Sequence, residues 1–113
     1  MGFKLSPADQ QKKEALGEGK RKWDRIHALV EKAASEERAR DTLMRQCHRN
    51  ASAVGRFFAN NALGQLAQNA NDLAFILKRS GRFESRLGSM REAVGRGYAG
   101  IERALSDIRR RAS

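Results

Sequence analysis

The sequence predicts an all-α protein, and three observations support this fold class. The chain has a single proline, Pro7, and residues that lose little rotamer freedom in a helix dominate its middle: alanine, arginine, leucine, glutamate and glutamine. β-Branched residues are few, and no run of alternating apolar and polar residues indicates a strand. Apolar residues instead recur every three or four positions, which is the spacing of one helix face.

The N-terminal segment, residues 1–19, contains a helix-start signal. Ser6 suits the N-cap, Pro7 suits the first helical position, and an acidic residue follows in the first turn. The segment is short and polar, and two glycines interrupt it near its end. We therefore expect residues 1–19 to be mobile or loosely docked, and residues 20–113 to form a single helical domain.

A first long helix is predicted at about 20–48. One of its faces carries the following residues at helical spacing: Trp23, Ile26, Val30, Ala33, Glu37, Met44, Cys47 and Ala51. The stretch 35–41 is almost entirely polar, so it is either a solvated part of this helix or a short break. Asn50 and Ser52 are the candidate caps of the following helix.

A second helix is predicted at about 50–79, and its centre is unusually neutral. Between Phe57 and Leu77 there is no Lys or Arg, and Asp72 is the one acid. Its apolar stripe comprises Val54, Phe58, Ala62, Leu66, Ala70, Leu73 and Leu77. Side-chain amides interrupt every apolar run, which argues against a membrane span. A central helix contacted on several sides explains both the missing charge and the amides, which can set register by hydrogen bonding.

A third helix is predicted at about 83–111, after a helix end at Lys78 and a left-handed turn at Gly81. Its stripe is the strongest in the chain: Leu87, Met90, Val94, Tyr98, Ile101, Leu105 and Ile108. The short turn makes the last two helices an antiparallel hairpin. We predict a three-helix bundle, or a long antiparallel helical hairpin with an additional N-terminal helix. Dimerisation through coiled-coil-like packing stays open.

Four glycines lie inside the last helix: Gly88, Gly95, Gly97 and Gly100. Each costs up to about 1 kcal/mol relative to alanine, so they indicate either close helix packing or a kink. We favour packing, because the apolar period continues through them. Residues 95–100 also match the dinucleotide motif G-x-G-x-x-G, but that motif needs a preceding strand, and none is predicted here.

No constellation of residues indicates catalysis or a bound cofactor. His27, Cys47 and His48 are too few for a structural zinc site, which needs four ligands. Cys47 lies on an apolar stripe, where a buried thiol is ordinary. Acid–base chemistry needs enclosed carboxylates with shifted pKa values, and the paired acids here lie in a polar stretch. We expect a non-enzymatic protein with no metal and no cofactor.

The charge of the chain is strongly basic and dominated by arginine. Its 23 Lys and Arg exceed its 13 Asp and Glu by a net charge of +10, and arginine supplies 16 of the basic residues. Such an excess attracts polyanions, above all nucleic acid. Arginines recur on one face of the middle and last helices. The candidate contacts to nucleic acid or an acidic partner are Arg38, Arg45, Arg49, Arg56, Arg82, Arg96, Arg103 and Arg110.

The leading functional hypothesis is nucleic-acid binding through phosphate contacts by these arginines, with duplex DNA as the expected ligand. The alternative is a small protein–protein interaction module that docks on an acidic or hydrophobic surface. Such a module would be an assembly subunit or an inhibitor of a nucleic-acid-handling machine, and proteins of this kind occur in mobile genetic elements. A homodimer fits either hypothesis, whereas membrane binding is disfavoured. One cysteine and no visible signal peptide favour a cytoplasmic location.

Overall fold

The computed structural model describes residues 5–112, and these form four α-helices with no strand among them. The helices are α1, Pro7–Ser35; α2, Arg40–Asn60; α3, Gly64–Lys78; and α4, Phe83–Ala112. A single 3-10 turn, Glu37–Ala39, precedes α2. The all-α class predicted from the sequence is therefore confirmed.

The helices run up and down in turn and form a four-helix bundle. Each helix packs against the next in the chain, and α4 closes the ring by packing along α1. The diagonal pairs, α1 with α3 and α2 with α4, have no Cα atoms within 8 Å of each other in the described residues. The bundle measures 56 × 21 × 18 Å. Four helices replace the predicted three because the expected helix 50–79 is divided in two; dimerisation stays a prediction.

The first helix starts as predicted but extends through the segment expected to be loosely docked. The backbone N–H of Asp9 donates to the Ser6 hydroxyl at 3.1 Å, and Pro7 occupies the first turn. The helix then continues without interruption to Ser35, so no boundary lies at residue 19. Residues 1–4 of the expected segment lie outside the described residues.

Packing explains why the glycines of α1 do not end the helix. Leu16 is fully buried, and Gly19 is also buried. A Cβ atom on Gly19 would lie 2.4 Å from the Phe58 ring, so glycine lets α2 approach at this point. Burial of Leu16 contributes about 1.5–3 kcal/mol, which exceeds the helix-propensity cost of about 1 kcal/mol for one glycine.

The junction between α1 and α2 lies at 36–39, so the predicted boundary near 48–50 is wrong. The polar stretch there offers few apolar side chains to hold it to the core, and the chain turns at Glu36, whose φ and ψ are −117° and 86°. Cys47 and Ala51 are both fully buried, so α2 continues straight through the expected boundary. Arg40 caps the end of α1, because its Nε donates to the Ala33 carbonyl at 2.8 Å.

A second turn, at 61–63, separates α2 from α3 within the predicted helix 50–79. Ala62 adopts a positive φ of 60°, and the backbone N–H of Leu63 donates to the Phe58 carbonyl at 2.9 Å. The Asn61 side chain donates to the Phe57 carbonyl at 2.8 Å. The sequence predicted that the amides of this segment set the register of packed helices. Asn61 instead caps the end of α2.

The turn between α3 and α4 matches the prediction. α3 ends at Lys78, and Gly81 has a positive φ of 125°. The guanidinium of Arg86 donates to the carbonyls of Leu77 at 3.0 Å and Arg79 at 2.7 Å, which caps the end of α3. The last helix begins at residue 83, as expected.

Two of the four glycines in α4 serve close packing. A Cβ on Gly97 would lie 2.3 Å from the Trp23 indole, and one on Gly100 would lie 2.8 Å from a side chain of α3. Gly88 and Gly95 have no such neighbour within 4 Å. Because α4 is one continuous helix, packing accounts for Gly97 and Gly100, and nothing in the structure explains the other two.

Candidate nucleic-acid interface

The eight candidate arginines are all exposed, but they do not form one surface. Arg45, Arg49 and Arg56 form the α2 arginine row. The α4 arginine row consists of Arg96, Arg103 and Arg110. Arg38 lies in the 3-10 turn and Arg82 in the α3–α4 turn, at the same end of the bundle. Since α2 and α4 are diagonal to each other, their outer faces point in different directions, and one straight ligand cannot lie along both rows.

The seam between α1 and α4 is neutralised by pairing. Three ion pairs connect these helices: Asp9 with Arg111 at 3.0 Å, Lys20 with Glu102 at 3.6 Å, and Glu31 with Arg91 at 2.7 Å. The Arg91 and Arg111 guanidinium groups lower the pKa values of Glu31 and Asp9, respectively, chiefly through hydrogen bonds. Much of the basic charge on this side is therefore matched by carboxylates and is less available to a polyanion.

A polar cluster occupies the middle of the same seam. The Tyr98 hydroxyl donates to the Asp24 carboxylate, and the His27 ring meets the Tyr98 ring edge-on with centroids 5.8 Å apart. Burial, reinforced by the Asp24 carboxylate, raises the pKa of Tyr98 to about 12. Tyr98 therefore stays protonated at neutral pH and connects α4 to α1.

The α4 arginine row has acidic neighbours on its own helix. Arg110 pairs with Asp107, and α4 also contains Glu92 and Glu102. Arg96 and Arg103 make no hydrogen bond or ion pair within the described residues. Any attraction of this row for a polyanion is opposed by carboxylates that lie within one or two turns.

The α2 arginine row has fewer acidic neighbours, and none of its three arginines is paired in residues 5–112. Within the described part of the chain, Arg45, Arg49 and Arg56 make no hydrogen bond or ion pair, and Asp41 is the one acid of α2. Their spacing of four and seven residues places them opposite the buried face that contains Cys47. At 1.5 Å per residue, the row extends about 16 Å along the helix axis.

A cationic cleft lies between α2 and α3, beside this row. It has a volume of about 230 Å³ and is lined by Met44, Arg45, His48, Arg49, Leu77 and Lys78. Met44 and Leu77 are buried, whereas the arginines and Lys78 are exposed. The cleft therefore combines an apolar floor with a positively charged rim, and an anionic group is the ligand that this rim favours.

Phe75 is the one large hydrophobic side chain that the described structure exposes, with 68% of its surface accessible. It lies on α3 outside the apolar stripe, whose residues on this helix, Leu66, Ala70, Leu73 and Leu77, are buried. Asn71, one turn earlier, lies against Gly55 of α2, and Lys78, one turn later, lines the cationic cleft. Phe75 itself lies opposite the buried face of α3 and points away from the bundle, at the level of the α2 arginine row. The exposure of Phe75 could have been predicted from the sequence, because Phe75 does not share the spacing of the apolar stripe.

Two further arginines, Arg40 and Arg86, have structural roles within the bundle. Besides capping α1, Arg40 stacks over the Phe83 ring at 4.2 Å and lies 3.9 Å from Glu84. Arg86 caps α3, and both side chains are only partly exposed. Neither is available to a ligand, so total arginine content overstates the binding surface.

Other candidate chemistries find little support in the geometry. No group of three or more His, Cys, Asp or Glu side chains within the described residues is arranged to hold a metal ion. Burial raises the pKa of the Cys47 thiol to about 12, which disfavours the nucleophilic thiolate. Residues 95–100, which match the dinucleotide motif, lie inside α4. Their backbone N–H groups are used in helical hydrogen bonds and are not free to bind a pyrophosphate.

Comparisons of the chain with protein-family models, with curated proteins and with solved structures find no match. No helix in the described part of the chain is both long and apolar enough to cross a membrane.

Proposed function

We propose that this protein is a non-enzymatic helical protein that binds the phosphates of nucleic acid through the α2 arginine row. The observation that carries the proposal is that all three arginines of this row are unpaired within the described residues on a helix with one acid, whereas Arg110 of the α4 row pairs with Asp107. Arg38 and Arg82, at one end of the bundle, are further exposed positive charges.

Phosphate contact suits this arrangement for two reasons. Each guanidinium presents a planar set of donors that matches phosphate oxygens. A row about 16 Å long lies parallel to α2 and can follow a nucleic-acid backbone. Such contacts release counterions, and they supply affinity without reading sequence. The protein would therefore bind many sequences with similar affinity.

The salt dependence of binding tests the proposal. Three phosphate contacts predict a slope of about −2.7 in a plot of log K against log salt, so affinity should fall at least about 40-fold between 50 and 200 mM salt. Fluorescence anisotropy of a labelled oligonucleotide measures this slope directly. Affinity that hardly changes with salt would contradict phosphate binding.

A matched pair of variants tests the surface. Arg49→Ala/Arg56→Ala and Arg96→Ala/Arg103→Ala each remove two exposed arginines spaced by seven residues, one pair on α2 and the other on α4. The α2 variant should flatten the salt slope by about 1.8, and the α4 variant should flatten it by much less. Equal effects of the two variants would mean that overall charge, not the α2 row, binds the ligand.

A protein–protein module is the second candidate, and one feature favours it. At the end of the bundle where α1 begins and α4 ends, an open groove of about 470 Å³ is lined by Leu5, Lys13, Leu105, Ile108, Arg109 and Ala112. A second copy of the chain is the simplest occupant. Light scattering should then give twice the 12.6 kDa mass of one chain; a monomer at all concentrations would remove this support.

A further inference from the structure

We infer that Phe75 is a base-stacking platform and that the preferred ligand is single-stranded nucleic acid. This inference rests on the proposed function, since the α2 arginine row supplies the phosphate contacts. It replaces the duplex DNA expected from charge alone with a strand whose bases are accessible. Three features of Phe75 support it: its exposure, its position at the level of the α2 arginine row, and the chemistry of the surrounding side chains.

Phe75 is more exposed than any other large hydrophobic side chain in residues 5–112. Phe58 and Trp23 are fully buried, and Phe57 and Phe83 are partly buried beneath Lys22 and Arg40, respectively. Among the aromatic residues that the structure describes, Phe75 has by far the most accessible surface, 68%. A single exposed apolar residue is ordinary on a protein surface. Its neighbours are what indicate a ligand.

The register of α2 and α3 places Phe75 at the level of the α2 arginine row. Asn71 lies at the level of Gly55, and Lys78 shares the cleft with Arg45 and Arg49. Phe75 falls between these two levels, close to that of Arg49. Packed helices lie about 8–10 Å apart, so the ring and the arginine row lie on the outward faces of two neighbouring helices at the same level. A strand whose phosphates follow the row can place a base over the ring.

The surrounding side chains suit a nucleic-acid strand. Asn71 and Gln68 carry amides, which can both donate and accept hydrogen bonds at base edges. Asp72 is the one acid of α3, and its carboxylate accepts a hydrogen bond from Gln68 at 2.9 Å. Stacking on an aromatic ring beside a basic groove is a common mode of single-strand binding. A duplex hides the faces of its bases, so Phe75 adds nothing to duplex binding.

Three ligands of equal length separate stacking from phosphate contact: a single-stranded DNA of mixed sequence, an abasic strand with the same number of phosphates, and the matched duplex. The single strand should bind wild-type protein more tightly than the abasic strand does. Phe75→Ala should weaken single-strand binding about fivefold or more. Its affinity for the abasic strand and for the duplex should change less than about twofold, because neither ligand offers a base face.

Two further variants test the role of the ring itself. Phe75→Leu keeps an apolar side chain but removes the aromatic face, so it should weaken single-strand binding about as much as Phe75→Ala. Phe75→Trp should retain binding, and the indole that it introduces should be quenched by the single strand but not by the abasic strand. Trp23, the chain's one tryptophan, is fully buried and gives a steady background. Because Phe75 is exposed, these variants should fold normally.

The outcomes distinguish this inference from the proposed function. If Phe75→Ala and Phe75→Leu leave single-strand affinity unchanged while Arg49→Ala/Arg56→Ala weakens all three ligands, stacking is refuted and phosphate binding stands. If none of the ligands binds even at low salt, both proposals fail. An acidic protein partner would then become the favoured ligand of this face.

Discussion

The packing of Gly97 against the Trp23 indole allows the helix arrangement to be tested by a single methyl group. A Cβ atom on Gly97 would lie 2.3 Å from Cε2 and Cζ2 of Trp23 and 2.6 Å from its Nε1. Trp23 is fully buried, and its Nε1 donates to the Val94 carbonyl at 2.9 Å. In Gly97→Ala the indole must therefore move, and its hydrogen bond must lengthen or break.

Three effects determine the size of the change. Overpacking of a buried side chain costs about 1–3 kcal/mol. A buried N–H that loses its acceptor costs a further ~1–3 kcal/mol. The better helix propensity of alanine returns about 1 kcal/mol. Taking the middle of each range, Gly97→Ala should lower the free energy of unfolding by about 3 kcal/mol.

Urea unfolding followed by far-UV circular dichroism measures this difference. Gly95→Ala is the matched control, because Gly95 lies on the same helix two residues earlier and has no neighbour within 4 Å of an added Cβ. It should raise stability by up to about 1 kcal/mol. Emission from the one tryptophan should shift to longer wavelength in folded Gly97→Ala and stay unchanged in Gly95→Ala.

Two results would refute the reasoning. One is a Gly97→Ala variant that is as stable as Gly95→Ala, since α1 and α4 would then not approach at this position. The other concerns Trp23→Phe, which removes Nε1 and shortens the ring system. Gly97→Ala should cost less in that background than in the wild type, and an equal cost would show that the indole is not the obstacle.

Two further predictions concern titration. Arg91 lowers the pKa of Glu31, so their pair stabilises the fold above pH 4.5, the ordinary value, and is lost as pH falls through the lower folded pKa. Glu31→Gln should lower the melting temperature by at most a few degrees at pH 7, because the pair is exposed, and melting curves of variant and wild type should converge in acid. Burial raises the pKa of the Cys47 thiol from 9.0 to about 12, so native protein at pH 8 should not react with a thiol reagent, whereas unfolded protein should react at once. Because the unfolded thiol ionises first, stability should fall as pH rises from 9 towards 12, and Cys47→Ala should reduce this loss; a thiol that reacts in the native state would contradict the burial.

Local signals in the sequence predicted much of the helical structure. The stripe of the last helix identified residues that the structure buries fully or nearly so: Met90, Val94, Ile101 and Ile108. The start of α1 at Ser6 and the positive φ of Gly81 were also read from local residue types. These features depend on periodicity and backbone conformation, which neighbouring residues determine.

Helix breaks inside polar stretches could not be placed in the same way. Residues 35–41 suit a solvated helix as well as a turn, and the amides near Asn61 suit a helix interface as well as a cap. The choice depends on whether the chain must reverse to bury the next apolar stripe, which is a property of the whole bundle. The N-terminal extent of α1 could not be predicted either, because it depends on the packing of Gly19 against Phe58 of another helix.

The sequence by itself determined that the protein is helical, basic and rich in arginine, because composition and periodicity are properties of the chain alone. The tertiary structure decided which charges remain available, because pairing requires two helices to meet. Packing of α1 against α4 brings Arg91 to Glu31 and Arg111 to Asp9. The outer face of α2 meets no other helix of the bundle, so its arginines make no ion pair with another helix in the described part of the chain. The neighbouring helix α3 exposes Phe75 at the same level.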